Sequence, residues 1–416
     1  MTKKKKINVL VIPSDRTGVS YFRSTNPHIR LENNYPDEFR IDIDYEPKID
    51  DENWLKQYDI IHYHRTIGDY DLMEKRLAKI KALGILTVMD LDDYWSPGKH
   101  HPAYLTIKSE GLDKKILNNI KLADNIITTT SIFKDELIKF NKNIHILPNS
   151  IDPTEKQYMP NPEPSNRLRI GWLGGSSHLE DLKLLEGLVG KIKSDGLLDK
   201  VQFVLCGFDL RGNKIMINEK TGEKQTRPIT PKESVWYKYE QIFTNDYKAV
   251  SDEYRKFLLK FKKEKYPDLD NEPYRRVWTK PISTYAMNYN LFDVSIAPLS
   301  ENTFNKVKSQ LKVIEAGFHK KAIIAQDYGP YNIDLKNIYD RPKKGEQIKM
   351  NDDGNALLVT KNKNHRDWYR NVKRLIQNPE LVETLRTRLY ETVKDKYNID
   401  EITKQRRDLY IKLLNK

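Results

Sequence analysis

A single cysteine, Cys206, occurs in 416 residues. One thiol excludes an internal disulfide framework and a cysteine-ligated zinc site. It stands in the apolar run Val-Leu-Cys-Gly-Phe, the setting of a buried core thiol. No apolar run approaches the roughly 18 residues that a membrane-spanning helix needs. A secretory leader pattern is also missing: Met-Thr-Lys-Lys-Lys-Lys is followed only by the short run Ile7 to Pro13, so the expected location is cytoplasmic. Eighteen glycines and twenty prolines are ordinary numbers, which excludes a collagen or low-complexity polymer. No short internal repeat is present. What remains is a soluble chain of two to three domains at about 100–200 residues each. Its 38 % hydrophobic residues suffice for two sizeable cores.

Charge is plentiful and uneven. The net charge is +13. Residues 1–150 hold 23 basic and 22 acidic residues, about +1, and the remainder carries about +12. A basic half attracts phosphates, whether of a nucleotide, a nucleic acid or an anionic membrane surface. A lysine-rich composition also places spare lysines on solvated faces.

Strand and helix signals alternate along the first part of the chain. Six strand-like runs begin at Ile7, Arg40, Tyr58, Ile85, Asn125 and Ile144. Helical spacing appears over 71–83, 112–122 and 132–140. This alternation predicts a parallel sheet with crossover helices. A proline-rich linker, Pro160-Asn-Pro-Glu-Pro164, then precedes a restart at Leu168-Arg-Ile-Gly-Trp-Leu173. Ser177-His-Leu-Glu180 fits a capping box opening a helix through Leu188. Strands at 201–205, 277–279, 292–297, 322–325 and 357–359 follow, with a helix expected from about Lys306 to Gly317 and three helical stretches at the end. Residues 210–275 break the rhythm and read as an insertion. The fold class expected is α/β, two tandem Rossmann-like domains with an inserted region in the second. The first domain is placed at 1–160 and the second at 166–397. Ligands of such sheets bind beyond the strand carboxyl ends, so two of them create a cleft.

The densest chemical pattern is Ala297-Pro-Leu-Ser-Glu-Asn-Thr-Phe-Asn-Lys-Val-Lys-Ser-Gln-Leu-Lys-Val-Ile-Glu-Ala-Gly317. A strand ends, a polar loop follows, and a helix begins near Asn305. Free amides at a helix start attract anions. Lys308, Ser309 and Lys312 fall in its first turns, and residues four apart share a face. Two cations and a hydroxyl suit a diphosphate. Glu315, one turn on and inside an apolar stretch, suits the two hydroxyls of a ribose. An ordinary surface helix with Lys-Glu patterning is the bland alternative.

Three other segments are candidates. Val88-Met-Asp-Leu-Asp-Asp-Tyr-Trp95 carries Asp90, Asp92 and Asp93 beyond a strand end. Such carboxylates orient or deprotonate an acceptor hydroxyl, hold a metal as an Asp-x-Asp pair, or merely cap and pair. No metal is expected. In Ser14-Asp-Arg-Thr-Gly-Val-Ser-Tyr-Phe-Arg23, Gly18 permits close backbone approach and Arg23 meets a phosphate or acceptor charge, or forms a structural ion pair. Gly174, Gly175, Ser176 and His178 occupy the matching loop of the second domain. His62 and His64 share one strand face, and His64 is taken as cleft-lining on the acceptor side.

This block, together with His145-Ile-Leu-Pro-Asn-Ser-Ile-Asp152 and Gly171-Trp-Leu-Gly-Gly-Ser-Ser-His178, resembles the GT-B glycosyltransferases, closest to the retaining group-1 or GT4-like enzymes. The likeness covers nearly the whole chain except 210–275. It implies an acceptor-binding first domain and a second domain that binds a sugar nucleotide, with a UDP- or GDP-sugar as co-substrate and no cofactor required. It implies that Glu315 holds the ribose and that basic residues neutralise the leaving diphosphate. It also implies a final helix, within 398–416, that crosses back to the first domain. The sequence departs from the family pattern at Val307, where another glutamate is usual, and at Asp90, near the place of a usual histidine. The Lys-Ser-x-x-Lys pattern is similar to that of a divergent subset.

Transfer of a sugar to a glycan or lipid-linked hydroxyl is the leading expectation, with retention implied by the resemblance alone. Residues 210–280 hold 17 basic and 11 acidic residues interleaved with Trp236, Tyr237, Tyr239, Tyr247, Tyr254, Tyr274, Arg275, Arg276 and Trp278. Cations with stacking surfaces are what a nucleic-acid groove offers, so a phage-type DNA-modifying glycosyltransferase is an alternative. A nucleotide-sugar epimerase of the same fold and an inactive carbohydrate- or nucleic-acid-binding module are the others.

Overall fold

The computed structural model describes residues 5–209, 212–217, 224–230, 233–244, 273–340, 349–360 and 364–415. Six strands of the first half, β1 (Ile7–Ile12), β2 (Phe39–Ile43), β3 (Ile60–His64), β4 (Leu86–Leu91), β5 (Ile126–Thr128) and β6 (Ile144–Ile146), form one sheet. Its order is β2-β1-β3-β4-β5-β6 and every neighbouring pair is parallel. Parallel strands are covered on both faces and therefore read as continuous apolar runs. All five residues of β3 are buried accordingly. The chain winds one way from β1 to β2 and the other way from β3 onward. The strand order thus reverses between β1 and β3.

The second half repeats the plan with different residues. The strands β7 (Leu168–Leu173) and β8 (Val201–Phe208) lead into a hairpin of β9 (Asn213–Ile217) and β10 (Lys224–Pro228). Strands β11 (Tyr274–Trp278), β12 (Val294–Ala297), β13 (Ala322–Gln326) and β14 (Leu357–Val359) complete it. The order is β11-β8-β7-β12-β13-β14, again all parallel. Here the reversal lies between β7 and β12. Among the described residues no helix is long and apolar enough to cross a membrane.

Two helix expectations are corrected. Ser177 does not cap a helix: His178 takes the cap position without a side-chain cap bond, and the helix of Leu179–Leu182 soon gives way to a tighter turn at Lys183–Leu185. Gly187, at φ +89°, separates it from Leu188–Ser194. The expected helix from Lys306 to Gly317 is two pieces, Thr303–Lys306 and α1 (Leu311–Phe318). The interruption has a packing cause. Val307 is fully buried within the core of the first half, beside residues such as Trp95 and Phe133. Drawing it there takes the chain out of helix, and Lys308 and Ser309 lie in the connecting loop.

Part of the inserted region lies among the described residues. Trp236 and Tyr239 lie on the helix Val235–Thr244 and are buried in the second core, as is Tyr274. Arg275 pairs with Glu163 at 3.0 Å, and Arg276 pairs with the buried Glu240. These three aromatics and two arginines are thus engaged in packing and pairing, while Trp278, at the end of β11, is exposed. Tyr247 and Tyr254 lie outside the described residues.

The last helix, α2 (Ile399–Leu414), returns to the first half. Arg30 holds Asp400 at 2.6 Å, and Arg407 holds Glu38 at 2.8 Å. Beneath these pairs the Tyr410 hydroxyl bridges His28 Nε2 at 2.8 Å and His62 Nδ1 at 3.0 Å. Burial pushes both imidazoles well below their ordinary pKa, so they pack as neutral rings.

Candidate active site

A cavity of about 750 Å³ lies between the halves, beyond the carboxyl ends of both sheets. That is where the topology places ligands in open α/β sheets. The segment after β1 contributes Arg16 to Val19, Phe22 and Arg23, and the loop after β4 contributes Asp92 and Asp93. Across the cleft stand Leu173, Gly174 and Gly175 after β7, Gly207 near the end of β8, and the segment from Lys308 to Glu315.

The second-half wall is built on α1 and the loop before it. Lys312 donates to the Leu173 carbonyl oxygen, and its ammonium lies 5.0 Å above the Trp172 ring. Burial lowers its pKa to about 8, against the pull of Glu315. Lys308 lies over Phe304 at 5.0 Å. Neither lysine has a carboxylate within ion-pair distance among the described residues. Ser309 Oγ accepts from Asn149 Nδ2 at 3.2 Å, a bond that ties this loop to the first half. Glu315 is buried and accepts from two phenols, Tyr285 on Oε1 and Tyr289 on Oε2, the latter at 3.1 Å. Burial raises its pKa to about 7, while Tyr285, Lys312 and Tyr289 oppose the rise. A carboxylate has about four lone-pair positions, so two remain for a ligand diol.

The glycine loop is shaped by close approach. A Cβ on Gly174 would meet the Trp172 ring and come within 3.1 Å of Lys312 Nζ. Gly207, at φ +96°, would strike the Gly174 carbonyl oxygen if it bore a side chain. Gly175 has open space and no such need. His178 lines the cavity and its Nδ1 lies 2.7 Å from Asp181 Oδ2. Burial and the nearby Lys308 lower the imidazole to about 4 although Asp181 pulls the other way. With Asp181 ionised, Nδ1–H donates and Nε2 is left as an acceptor.

On the first-half wall the helical run 18–34 contains a wide π-type turn at Tyr21–Thr25. Such turns re-aim side chains and recur at functional sites. This one buries Arg23, which grips Asp90 through Nε and Nη2, both at 2.9 Å. Its Nη1 donates to the Leu147 carbonyl at 2.8 Å and to Asn149 Oδ1 at 3.1 Å. Asp92 receives His64 Nε2 at 2.9 Å and Arg65 at 3.2 Å. Burial would raise this carboxyl, but His64 and the two arginines hold it well below the carboxylate range. Asp93 lines the cavity with no hydrogen-bond partner among the described residues. Burial and the charge of Asp92 raise its pKa. Adjacent carboxyls pushed in opposite directions are the pattern of divided roles.

The structure therefore brings Gly18, Arg23, Asp92, Asp93, Gly174, Gly175, His178, Lys308, Ser309, Lys312 and Glu315 to one cavity. Four candidates sit elsewhere. Asp90 is sealed under Arg23, and His64 stands behind Asp92. Asn305 is spent on Asp181 and Ser300, and Ser176 is exposed outside the cavity wall. Sequence reasoning missed Arg16, Asn149, Lys280, Tyr285 and Asn288, which also line the cavity. Asn149 stood within the quoted Leu-Pro-Asn-Ser motif without a role. Gly207, breaking an apolar strand, was the legible sign of a close approach.

Two parallel Rossmann-like sheets with a cleft at their carboxyl ends, and a final helix returned to the first, constitute the GT-B fold of glycosyltransferases. Solved structures share it over the whole chain. Sucrose-phosphate synthase from Thermosynechococcus elongatus is similar at TM-score 0.59 and 13 % identity, over 99 % of this chain and 100 % of that one. Anabaena HepE in complex with UDP and glucose gives 0.57 at 11 %, over 97 % and 99 %. A glycosyltransferase from Rickettsia africae gives 0.55 at 11 %, over 99 % of each. At these identities the likeness establishes the fold. No protein-family model and no curated protein matches the sequence.

Proposed function

We propose that the chain is a glycosyltransferase that moves a sugar from a nucleoside-diphosphate sugar to an acceptor hydroxyl. One observation carries this reading: Lys308, Ser309 and Lys312, without carboxylate partners, share a cavity with the buried Glu315. A departing diphosphate develops negative charge, and preorganised cations in a partly dry cleft stabilise it most where it forms. Glu315 takes the ribose hydroxyls. UDP is the favoured nucleotide, since HepE was crystallised with UDP and with UDP-glucose on the same fold.

The two lysines do the charge neutralisation that a divalent ion does in other transferases, so turnover survives EDTA. Asp90 and Asp92 already engage their own cations and are poor candidates for an Asp-x-Asp metal pair. Asp93, with His178 across the cleft, faces the reacting hydroxyls. The acceptor is a glycan or lipid-linked glycan, and the stereochemical course is retention, both following from the family resemblance.

The test is turnover and binding with UDP- and GDP-sugars. Glu315→Ala raises donor KM at least about tenfold, because hydrogen bonds to a buried ribose are lost. A folded variant with unchanged KM and kcat sinks the reading. The anomeric configuration of the product, read by NMR, decides retention.

A further inference from the structure

Three buried side chains have both polar atoms without a partner among the described residues: Asn288, His319 and Gln326. Only Asn288 lines the cavity between the halves. It is fully buried. Its amide holds one strong donor and one strong acceptor within the cavity lining, with no hydrogen-bond partner for either among the described residues. An amide left so is unfavourable unless something else completes it.

Position indicates what that something is. Asn288 lies on the tight turn Tyr285–Leu291, the same turn from which Tyr285 and Tyr289 reach Glu315. It therefore belongs to the Glu315 corner of the cavity. Phosphate oxygens carry no donor, so they cannot answer the amide oxygen. The cations that suit phosphate are Lys308 and Lys312. What does answer it is a neutral group with a hydrogen-bond donor beside an acceptor. A nucleoside has two such groups, the ribose hydroxyls and the N–H/C=O edge of a uracil or guanine ring.

We propose that Asn288 is a nucleoside-reading residue of the donor site, completing its amide with a paired donor and acceptor on the ribose or the base. This rests on the donor-site reading above and adds a residue and a discrimination to it. Tyr285 positions Glu315, while Asn288 touches the ligand itself.

Isothermal titration of the full chain with nucleoside diphosphates and with inorganic pyrophosphate tests it. Wild type binds UDP or GDP at least about tenfold more tightly than pyrophosphate, and failure there overturns the donor-site reading itself. Given that binding, Asn288→Ala weakens the preferred nucleotide by roughly ten- to a hundredfold and leaves pyrophosphate unchanged. Contact with the base collapses the preference for UDP or GDP over CDP. Contact with the ribose collapses the preference over the 2′-deoxy nucleotide. Asn288→Leu supplies the second readout: removing an orphaned amide leaves the melting temperature of the empty protein equal or higher while nucleotide affinity falls. Unchanged nucleotide affinity in a folded Asn288→Ala overturns the proposal. So does an equal loss for nucleotide and pyrophosphate, or a drop in melting temperature for Asn288→Leu, which marks the residue as structural.

Discussion

On the first-half wall Asp90 and Asp92 meet Arg23, His64 and Arg65 within 3.2 Å, whereas across the cleft Lys308 and Lys312 meet no carboxylate at ion-pair distance among the described residues. Both walls concentrate charge at strand ends. One neutralises it with opposite charge, and the other leaves its cations to a carbonyl oxygen and aromatic faces. A paired buried charge contributes to order, and removing one partner strands the other. An unpaired cation in a cleft is destabilising to the empty protein and persists at sites that bind. The difference separates groups that build the site from groups that use it.

The largest effect expected from breaking this arrangement falls on Arg23. Arg23→Ala leaves Asp90 buried without its cation and lowers stability by about 3–5 kcal/mol, measured by chemical denaturation. If that variant is as stable as wild type, Asp90 is free to act and returns to the catalytic candidates. Next come the lysines. Lys308→Ala and Lys312→Ala each lower kcat by roughly a hundredfold or more while stability holds, since they remove charge stabilisation of the leaving group. Equal losses of stability and rate would place them with the structural charges.

A pH profile sharpens the comparison further. On the donor-site reading proposed above, binding needs Glu315 ionised and Lys312 protonated, with pKa values near 7 and 8. Donor kcat/KM therefore rises as the pH climbs through about 7 and falls above about 8. Glu315→Gln removes the acidic limb only. A profile flat across this range would show that neither group titrates in the free protein. The smallest effect concerns the inserted region. Neutralising Arg275 and Arg276 leaves duplex DNA binding at low salt no weaker, because both already serve Glu163 and Glu240. A steep loss would favour a nucleic-acid acceptor.

Much of the fold was legible in the sequence, for a physical reason. Strands buried on both faces cannot hide their composition, so runs such as Ile60 to His64 and Leu168 to Leu173 announced themselves. The break at Val307 did not, because local propensity continued the helix and only burial in the other half ended it. Lys308, Lys312 and Glu315 were visible as a spaced pattern of charge. Tyr285 and Asn288 were not, since a polar group on a short irregular turn has no period to betray it. Trp236 and Tyr239 were misread through their basic neighbours, although their three-residue spacing marked an inward helical face.

Val307 carries one more implication. It is a wedge from one half lodged in the other, one residue before Lys308 and two before Ser309. Spreading the halves apart withdraws it into water, at about 1.5–3 kcal/mol for a fully buried aliphatic side chain. That alone holds a spread form roughly ten- to a hundredfold below the closed one. The loop of Lys308 and Ser309 therefore does not swing freely with its own sheet. Its clasp makes the shut cleft the resting posture, and any opening of the cleft must first pull the wedge.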